Sequence, residues 1–166
     1  AQLRSGIRET TLRILRAAGV ATLMVTHDPA EALSCGDRIS ILRSGKLVQT
    51  GSPDTIYHQP AGLEAAEVFG VINRLAGHRR GDKVHTSLGD FPVESLEPGE
   101  PGIALVRPEQ LELVNSDEGQ QRVERSFPEG STTLYLVRTE AGEQVYVRML
   151  STRRIAVNSP VALRIR

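Results

Sequence analysis

The stretch Val20-Ala21-Thr22-Leu23-Met24-Val25-Thr26-His27-Asp28-Pro29-Ala30-Glu31 determines how the first part of this 166-residue chain is interpreted. Residues 20–26 form a short, mainly apolar run rich in β-branched side chains. Such a run predicts a strand that is buried on both faces of a parallel α/β sheet. Asp28 suits an N-cap, Pro29 suits the first helical position and Glu31 completes a capping box. We therefore expect a helix to begin directly after His27 and to end near Gly36.

Further elements are predicted on both sides of this strand and helix. Before it, an apolar face at helical spacing predicts a helix that ends at Gly19; the face consists of Leu3, Ile7, Thr11, Ile14, Leu15 and Ala18. After it, residues 38–43 and 47–50 are expected to pair as a hairpin around Ser44-Gly45-Lys46. Two short helices should follow, one capped by Ser52 and one over residues 63–69. Together these elements predict an α/β unit over residues 1–70.

Beyond residue 71 the helical period disappears and short alternating runs separated by turn residues take its place. The runs cover residues 83–88, 103–107, 111–114, 121–127, 132–139, 144–150 and 161–166. Many short strands at this spacing predict a small all-β barrel or sandwich over residues 71–166, with the domain boundary near residues 70–74. Tyr135 and Tyr146 fall on adjacent runs, which favours a cross-strand packing pair.

Composition excludes several classes of protein. No apolar run approaches the roughly 18 residues needed to span a bilayer, and no signal peptide opens the chain. The single cysteine, Cys35, cannot form an internal disulfide, which fits a reducing compartment. The formal net charge is zero, so the chain lacks an overall basic footprint for nucleic acid. The short basic stretches 78–80 and 153–154 are therefore predicted to be solvated loops.

His27 is the sharpest candidate for chemistry. It lies where a strand is predicted to end and a capped helix to begin, the position at which open α/β sheets bind ligands. The following helix N-terminus favours phosphate, to which a neutral imidazole could donate a hydrogen bond. A surface-loop histidine without a function is the competing interpretation.

Other kinds of site find little support in the sequence. The four histidines (27, 58, 78 and 85) and Cys35 have no metal-ligand spacing, so no metal site is predicted. Gly45-Lys46 is interpreted as a hairpin turn rather than a phosphate-binding loop, because Ser40 stands where the loop needs glycine and Leu47 where it needs Ser or Thr. Cys35 should end a helix as a small buried side chain.

Four ordered segments resemble the ATPases of ABC transporters. Residues 24–33 (MVTHDPAEAL) resemble the switch, or H-loop, segment, and residues 35–42 (CGDRISIL) resemble the strand that follows it. Residues 44–51 (SGKLVQTG) and 52–60 (SPDTIYHQP) resemble the next hairpin and helix. Val106-Arg107-Pro108-Glu109 also resembles the strand end of the regulatory domains attached to importer ATPases. The run over residues 60–70, together with the compact β domain, looks most like the ferric-iron importer branch.

This resemblance implies a fold and a function. Residues 1–70 would be the C-terminal part of a nucleotide-binding domain, and residues 71–166 a TOBE, or OB-like, regulatory domain. His27 would be the switch histidine that contacts the γ-phosphate of ATP. Ala1-Gln2-Leu3-Arg4 resembles the stretch after the D-loop, so Walker A, the signature motif, Walker B and the D-loop are expected upstream. The chain alone should therefore be inactive, and its sequence offers no complete binding site for ATP and Mg²⁺.

The resemblance also implies partners. The intact subunit would act as a homodimer on membrane permease subunits, at the cytoplasmic face of the membrane, without nucleic acid. We further expect a second copy of the chain to cover residues 20–25 and the apolar face of the first helix. The alternative function is a non-catalytic, OB-like regulatory or ligand-sensing module, in which His27 has no nucleotide to act on.

Overall fold

The computed structural model describes residues 2–92, 99–116 and 118–166. The chain divides into two compact units, Ala1–Gly70 and Val71–Arg166. Within the described residues, the first unit carries helices and one β-hairpin, and the second carries strands and one short 3-10 turn. This arrangement of an α/β unit followed by a small all-β unit confirms the predicted fold class.

The first unit contains four helices and one hairpin. They are α1 (Gln2–Ala17), α2 (Pro29–Cys35), β1 (Ile39–Arg43), β2 (Lys46–Gly51), α3 (Pro53–His58) and α4 (Leu63–Val68). Both predicted caps are present, since the side chains of Asp28 and Ser52 accept backbone N–H groups at the starts of α2 and α3. Pro29 and Pro53 each occupy the first helical turn, where no intrahelical N–H is needed.

A small core holds this unit together. Ile39 and Ile41 lie on one face of β1 and are buried, while Leu42 on the other face is exposed. Their partners in the core are Ile56 of α3 and Ala65 of α4. Helices α3 and α4 cover one side of the hairpin and leave the other side exposed. The burial of alternate residues along β1 therefore agrees with the predicted pattern.

The predicted strand over residues 20–26 is wrong. This run has no regular secondary structure and pairs with no strand in the described part of the chain, and Leu23 and Val25 are 92% and 90% exposed. β-branched composition favours an extended backbone, but a strand forms only where a neighbouring strand accepts and donates its hydrogen bonds. The preceding helix was predicted correctly, and Gly19 ends it at a φ of +65°. Ile7 and Ile14 on its apolar face are exposed, and the side chain of Leu3 lies outside the described residues.

The described residues of the second unit form two antiparallel sheets. The strands are β3 (Asn73–Arg80), β4 (Lys83–Thr86), β5 (Gly89–Pro92), β6 (Pro101–Val106), β7 (Leu111–Asn115), β8 (Gln121–Pro128), β9 (Thr132–Arg138), β10 (Gln144–Leu150) and β11 (Pro160–Ile165). One sheet has the order β5-β4-β3-β6 and the other the order β10-β9-β8-β11-β7. Their inner faces share one core, whose fully buried members include Leu75, Leu111, Tyr135, Val137 and Val147.

Two strands of this unit were not predicted from the sequence. β3 places Asn73, Leu75, Gly77 and Arg79 on its inner side, so the inward row holds only one large apolar side chain. β5 is Gly-Asp-Phe-Pro, a composition that favours turns. The stretch 78–80 consequently lies in a strand and not in the predicted loop. Pairing with well-patterned neighbours, rather than their own composition, makes both segments β-structure.

The predicted packing pair of Tyr135 and Tyr146 is wrong as well. Tyr135 is paired with Val147, whereas Tyr146 is paired with Leu136. A shift of one residue puts the two rings on opposite faces of the sheet. Tyr135 is buried in the core, and its hydroxyl donates to the carbonyl of Arg153 and accepts the N–H of Ile155.

Candidate functional site

His27 lies directly before helix α2, as predicted, but the run 20–26 that precedes it does not form the predicted strand. Its side chain is exposed, and so is that of the adjacent Asp28. An exposed imidazole at this point can donate or accept a hydrogen bond with a ligand from solvent. The structure therefore leaves His27 accessible for the chemistry predicted for it.

Hydrogen bonds fix the backbone on both sides of His27. The Asp28 carboxylate accepts from the N–H of Ala30 at 2.9 Å and of Glu31 at 3.3 Å. On the other side, the Thr26 hydroxyl accepts from the N–H of Asp28 at 3.0 Å. The same hydroxyl donates to the Glu31 carboxylate at 2.6 Å. These contacts hold the two neighbours of His27 against the first turn of α2, so that the loop presents the imidazole from a defined backbone position.

The other candidate residues of the first unit, His58, Cys35 and Gly45-Lys46, make contacts within the fold that are unrelated to His27. His58, at the end of α3, lies 3.7 Å from Asp54 one turn earlier, and its ring meets Tyr57 edge-on. Cys35 ends α2 as predicted and is half-buried, with its sulfur 3.5 Å from the Ser34 hydroxyl. Gly45 lies in the turn of the β1–β2 hairpin and Lys46 begins β2, which agrees with the hairpin indicated by the sequence. None of these residues lies on the loop that carries His27.

The Arg107-Pro108-Glu109 segment forms the exit from β6. Arg107 and Pro108 are buried, and the 3-10 turn Pro108–Gln110 begins directly after Arg107. The Gln110 side chain accepts the N–H of Arg107 at 2.7 Å. Glu109 accepts from Arg148 of β10 at 3.1 Å. The segment thus anchors the end of one sheet to the edge of the other.

A row of three titratable residues crosses β3, β4 and β5. His78 is directly paired with His85, and His85 is directly paired with Asp90. The Nδ1 atom of His85 lies 2.7 Å from the Asp90 carboxylate. Spacing along the chain did not reveal this row. The available signal was that His78 and His85 are equally far from the Gly81-Asp82 turn, which places them opposite each other once a hairpin forms.

The described residues contain no group of three or more His, Cys, Asp or Glu side chains arranged to hold a metal ion. The helices in the same part of the chain are all too short or too polar to cross a membrane.

The chain is similar to one protein family and to several curated proteins. A family profile described as TOBE domain matches residues 104–166. "Fe(3+) ions import ATP-binding protein FbpC 3" of Rhodococcus jostii is 31% identical over 99% of this chain and 49% of its own length. "FbpC 1" of the same organism is 37% identical over 72% of the chain and 34% of its own length. The FbpC protein of Serratia marcescens is 29% identical over 98% of the chain and 48% of its own length.

These matches confirm the resemblance found in the sequence. The chain spans about half the length, or less, of the curated relatives it matches. The TOBE match falls within the all-β unit and includes β7 to β11, the five strands of one complete sheet.

Proposed function

We propose that this chain is the C-terminal part of the ATP-hydrolysing subunit of a ferric-iron ABC importer. The chain is similar to the ATP-binding proteins of such importers, and its residues 104–166 match the TOBE domain. Residues 1–70 are the C-terminal part of its nucleotide-binding domain, and residues 71–166 are its OB-like regulatory domain. The observation that carries this proposal is the exposed, backbone-braced His27 in the segment that resembles the switch loop.

In the intact subunit, His27 donates a hydrogen bond to the γ-phosphate of ATP and helps to position the attacking water. Mg²⁺ bound together with ATP would neutralise negative charge on the transferring phosphoryl group. This chain contains no phosphate-binding loop, so its own contribution is restricted to the imidazole and to the backbone that holds it. Asp28 and Thr26 support that geometry by fixing the loop on each side of His27.

Replacing the imidazole in the intact subunit tests this role. We expect His27→Ala to lower the rate of ATP hydrolysis at least about 100-fold, the lower range for losing a positioned proton donor or acceptor. ATP binding, measured with a fluorescent analogue, should persist because the phosphate cradle lies elsewhere. The control is His58→Ala, which removes another exposed histidine at the end of a helix. Unchanged hydrolysis in His27→Ala would refute the assignment.

The 166-residue chain by itself should not hydrolyse ATP. A single histidine without a phosphate cradle supplies little of the positioning that phosphoryl transfer needs. Phosphate release measured with the purified chain should match the buffer blank. Steady turnover that disappears in His27→Ala would contradict this proposal.

The proposed partners are a second copy of the subunit and membrane permease subunits at the cytoplasmic face of the membrane. Leu23 and Val25 are among the most exposed large apolar side chains, and large apolar patches seldom remain uncovered. We expect the chain to sediment as a dimer and Leu23→Ser to shift it towards monomer. Leu150→Ser, at a 64% exposed leucine in the second unit, is the matched control. A monodisperse wild-type monomer that binds no apolar dye would count against a second copy.

The proposed transported solute is ferric iron. This assignment follows the names of the relatives, all of which are described as importing Fe(3+) ions. Uptake of labelled ferric iron should fall in cells that lack the gene and return with the wild-type gene but not with His27→Ala. Loss of polyamine, sugar or oxyanion uptake with normal iron uptake would replace iron by that solute.

A further inference from the structure

We propose that His78 and His85 bind a divalent transition-metal ion such as Zn²⁺ on the outer face of the four-stranded sheet. Asp90 orients the second of these ligands. This site follows from the pairing of β3, β4 and β5 and is independent of the proposed ATPase function.

The two imidazoles leave the same face of the sheet from neighbouring strands. His78 and His85 are direct partners in the antiparallel register of β3 and β4. Side chains of directly paired residues leave the same face of a sheet, with Cβ atoms about 4.5–5.5 Å apart. The strands approach closely at this point. As a result, a Cβ added to Gly77 would clash with the His85 carbonyl and lie 2.7 Å from a Val84 methyl. Two imidazoles at this separation can reach one ion at the Zn–N distance of about 2.0–2.1 Å.

The contact with Asp90 selects one tautomer of the neutral His85 ring. An ionised carboxylate can only accept hydrogen bonds, so the 2.7 Å contact favours the tautomer that carries its hydrogen on Nδ1. The lone pair of that tautomer is on Nε2, the atom available to a metal. Metal-binding histidines commonly donate their second N–H to a carboxylate in this way, which fixes the orientation of the ring.

The two histidines are open to solvent and lie between charged side chains of both signs. His78 is exposed and His85 is half-buried, so an ion can enter from solvent and keep water in its remaining positions. The neighbouring pair on the same face, Arg80 and Lys83, opposes a cation. Asp90 supplies the compensating negative charge on the other side of His85. Imidazole favours Zn²⁺, Cu²⁺ and Ni²⁺ over Mg²⁺, so the site should discriminate between these classes of ion.

The test is a titration of the full 166-residue chain with Zn²⁺ up to about 1 mM, the weak end of the affinity scale. It is carried out in a Cys35→Ser background to remove the thiol. We expect one Zn²⁺ per chain, a loss of affinity of at least tenfold in His78→Gln and in His85→Gln, and no response to Mg²⁺. Asp90→Asn should weaken binding about 10–100-fold, the usual effect of removing an orienting carboxylate. His58→Gln is the matched control and should bind as the parent does.

A second measurement uses only the parent chain, so it does not require any variant to fold. Imidazole resonances of the parent chain, followed by NMR, should shift with Zn²⁺ at His78 and His85 and remain unchanged at His27 and His58. No binding up to the highest concentration, affinity that survives His78→Gln, or shifts confined to His27 or His58 would each overturn the proposal.

Discussion

Asn73 illustrates how one polar side chain joins the two sheets of the second unit. It is buried, its amide N–H donates to the carbonyl of Tyr146 at 2.8 Å, and its amide oxygen accepts the N–H of Tyr146 at 2.7 Å. β10 is an edge strand, so its outer backbone groups need partners from outside its own sheet. Asn73, at the start of β3, supplies both.

Replacing Asn73 tests this contribution. Asn73→Ala should lower the free energy of unfolding by about 1–3 kcal/mol, since both backbone groups of Tyr146 lose a partner in a partly buried position. Urea denaturation followed by circular dichroism measures the change. Asn115→Ala, at the exposed end of β7, is the control and should stay within about 0.5 kcal/mol of wild type. Equal effects of the two substitutions would show that the reciprocal bonds to Tyr146 contribute nothing specific.

Glu124 gives a prediction for pH dependence. Hydrogen bonds from Arg138 and then from Gln144 hold the pKa of its carboxyl below the ordinary value of 4.5. A lowered pKa in the folded state means that the stabilisation is present above the unfolded value and is lost as pH falls through the folded value. Glu124→Gln should therefore reduce the loss of stability between about pH 5 and pH 3 and leave the slope near pH 7 unchanged. The free energy of unfolding at these pH values, with Glu118→Gln as control, measures this difference; identical acid profiles would refute it.

Among the residues with candidate functions, local and non-local signals differ in what they reveal. His27 could be predicted because the residues that position it, Asp28 and Glu31, are its neighbours in the sequence. The pairing of His78 with His85 and Asp90 depends on the register of three strands, one of which is Gly-Asp-Phe-Pro. Register is a property of the folded sheet and could be derived only after β3 and β5 were known.

At the scale of elements, the β1–β2 turn depends on backbone conformation rather than on burial. Ser44 and Gly45 have φ values of 50° and 74°, the left-handed pair that a two-residue hairpin turn requires. Only glycine adopts this region without penalty, and other residues pay about 1–2 kcal/mol. The turn residues therefore define the hairpin as much as the buried isoleucines do.

Two glycine substitutions separate conformation from packing in this unit. Gly45→Ala should lower the free energy of unfolding by about 1–2 kcal/mol because alanine is strained at a φ of 74°. Gly6→Ala is the control: a Cβ at either position meets open space, but Gly6 lies inside helix α1 and outside the left-handed region. It should be neutral or stabilising by up to about 1 kcal/mol, since alanine is the better helix former. Thermal unfolding compares the two, and equal destabilisation would show that backbone strain is not the cause.

The elements that were predicted correctly share a self-contained signal. α2 and α3 have their prolines in the first turn and their caps directly before it. β10 contains the alternating apolar residues that it buries, whereas β9 contains a continuous apolar run, residues 134–137, that is buried on both faces. The run 20–26 carried an equally strong apolar signal and is not a strand, since strand formation needs a neighbour that composition cannot supply. β3 shows the converse, because a polar segment becomes a central strand between β4 and β6.

For the whole molecule, the two units have separate cores, and we expect them to unfold independently. Ile56 is fully buried in the first core and Leu75 is 1% exposed in the second. Truncating either to alanine should cost about 2–5 kcal/mol, because a buried branched side chain is replaced by a cavity. Ile56→Ala should speed hydrogen exchange only in residues 1–70, and Leu75→Ala only in residues 71–166. Mass spectrometry of peptides from each unit measures this, and faster exchange throughout the chain in either variant would show that the two cores fold as one cooperative structure.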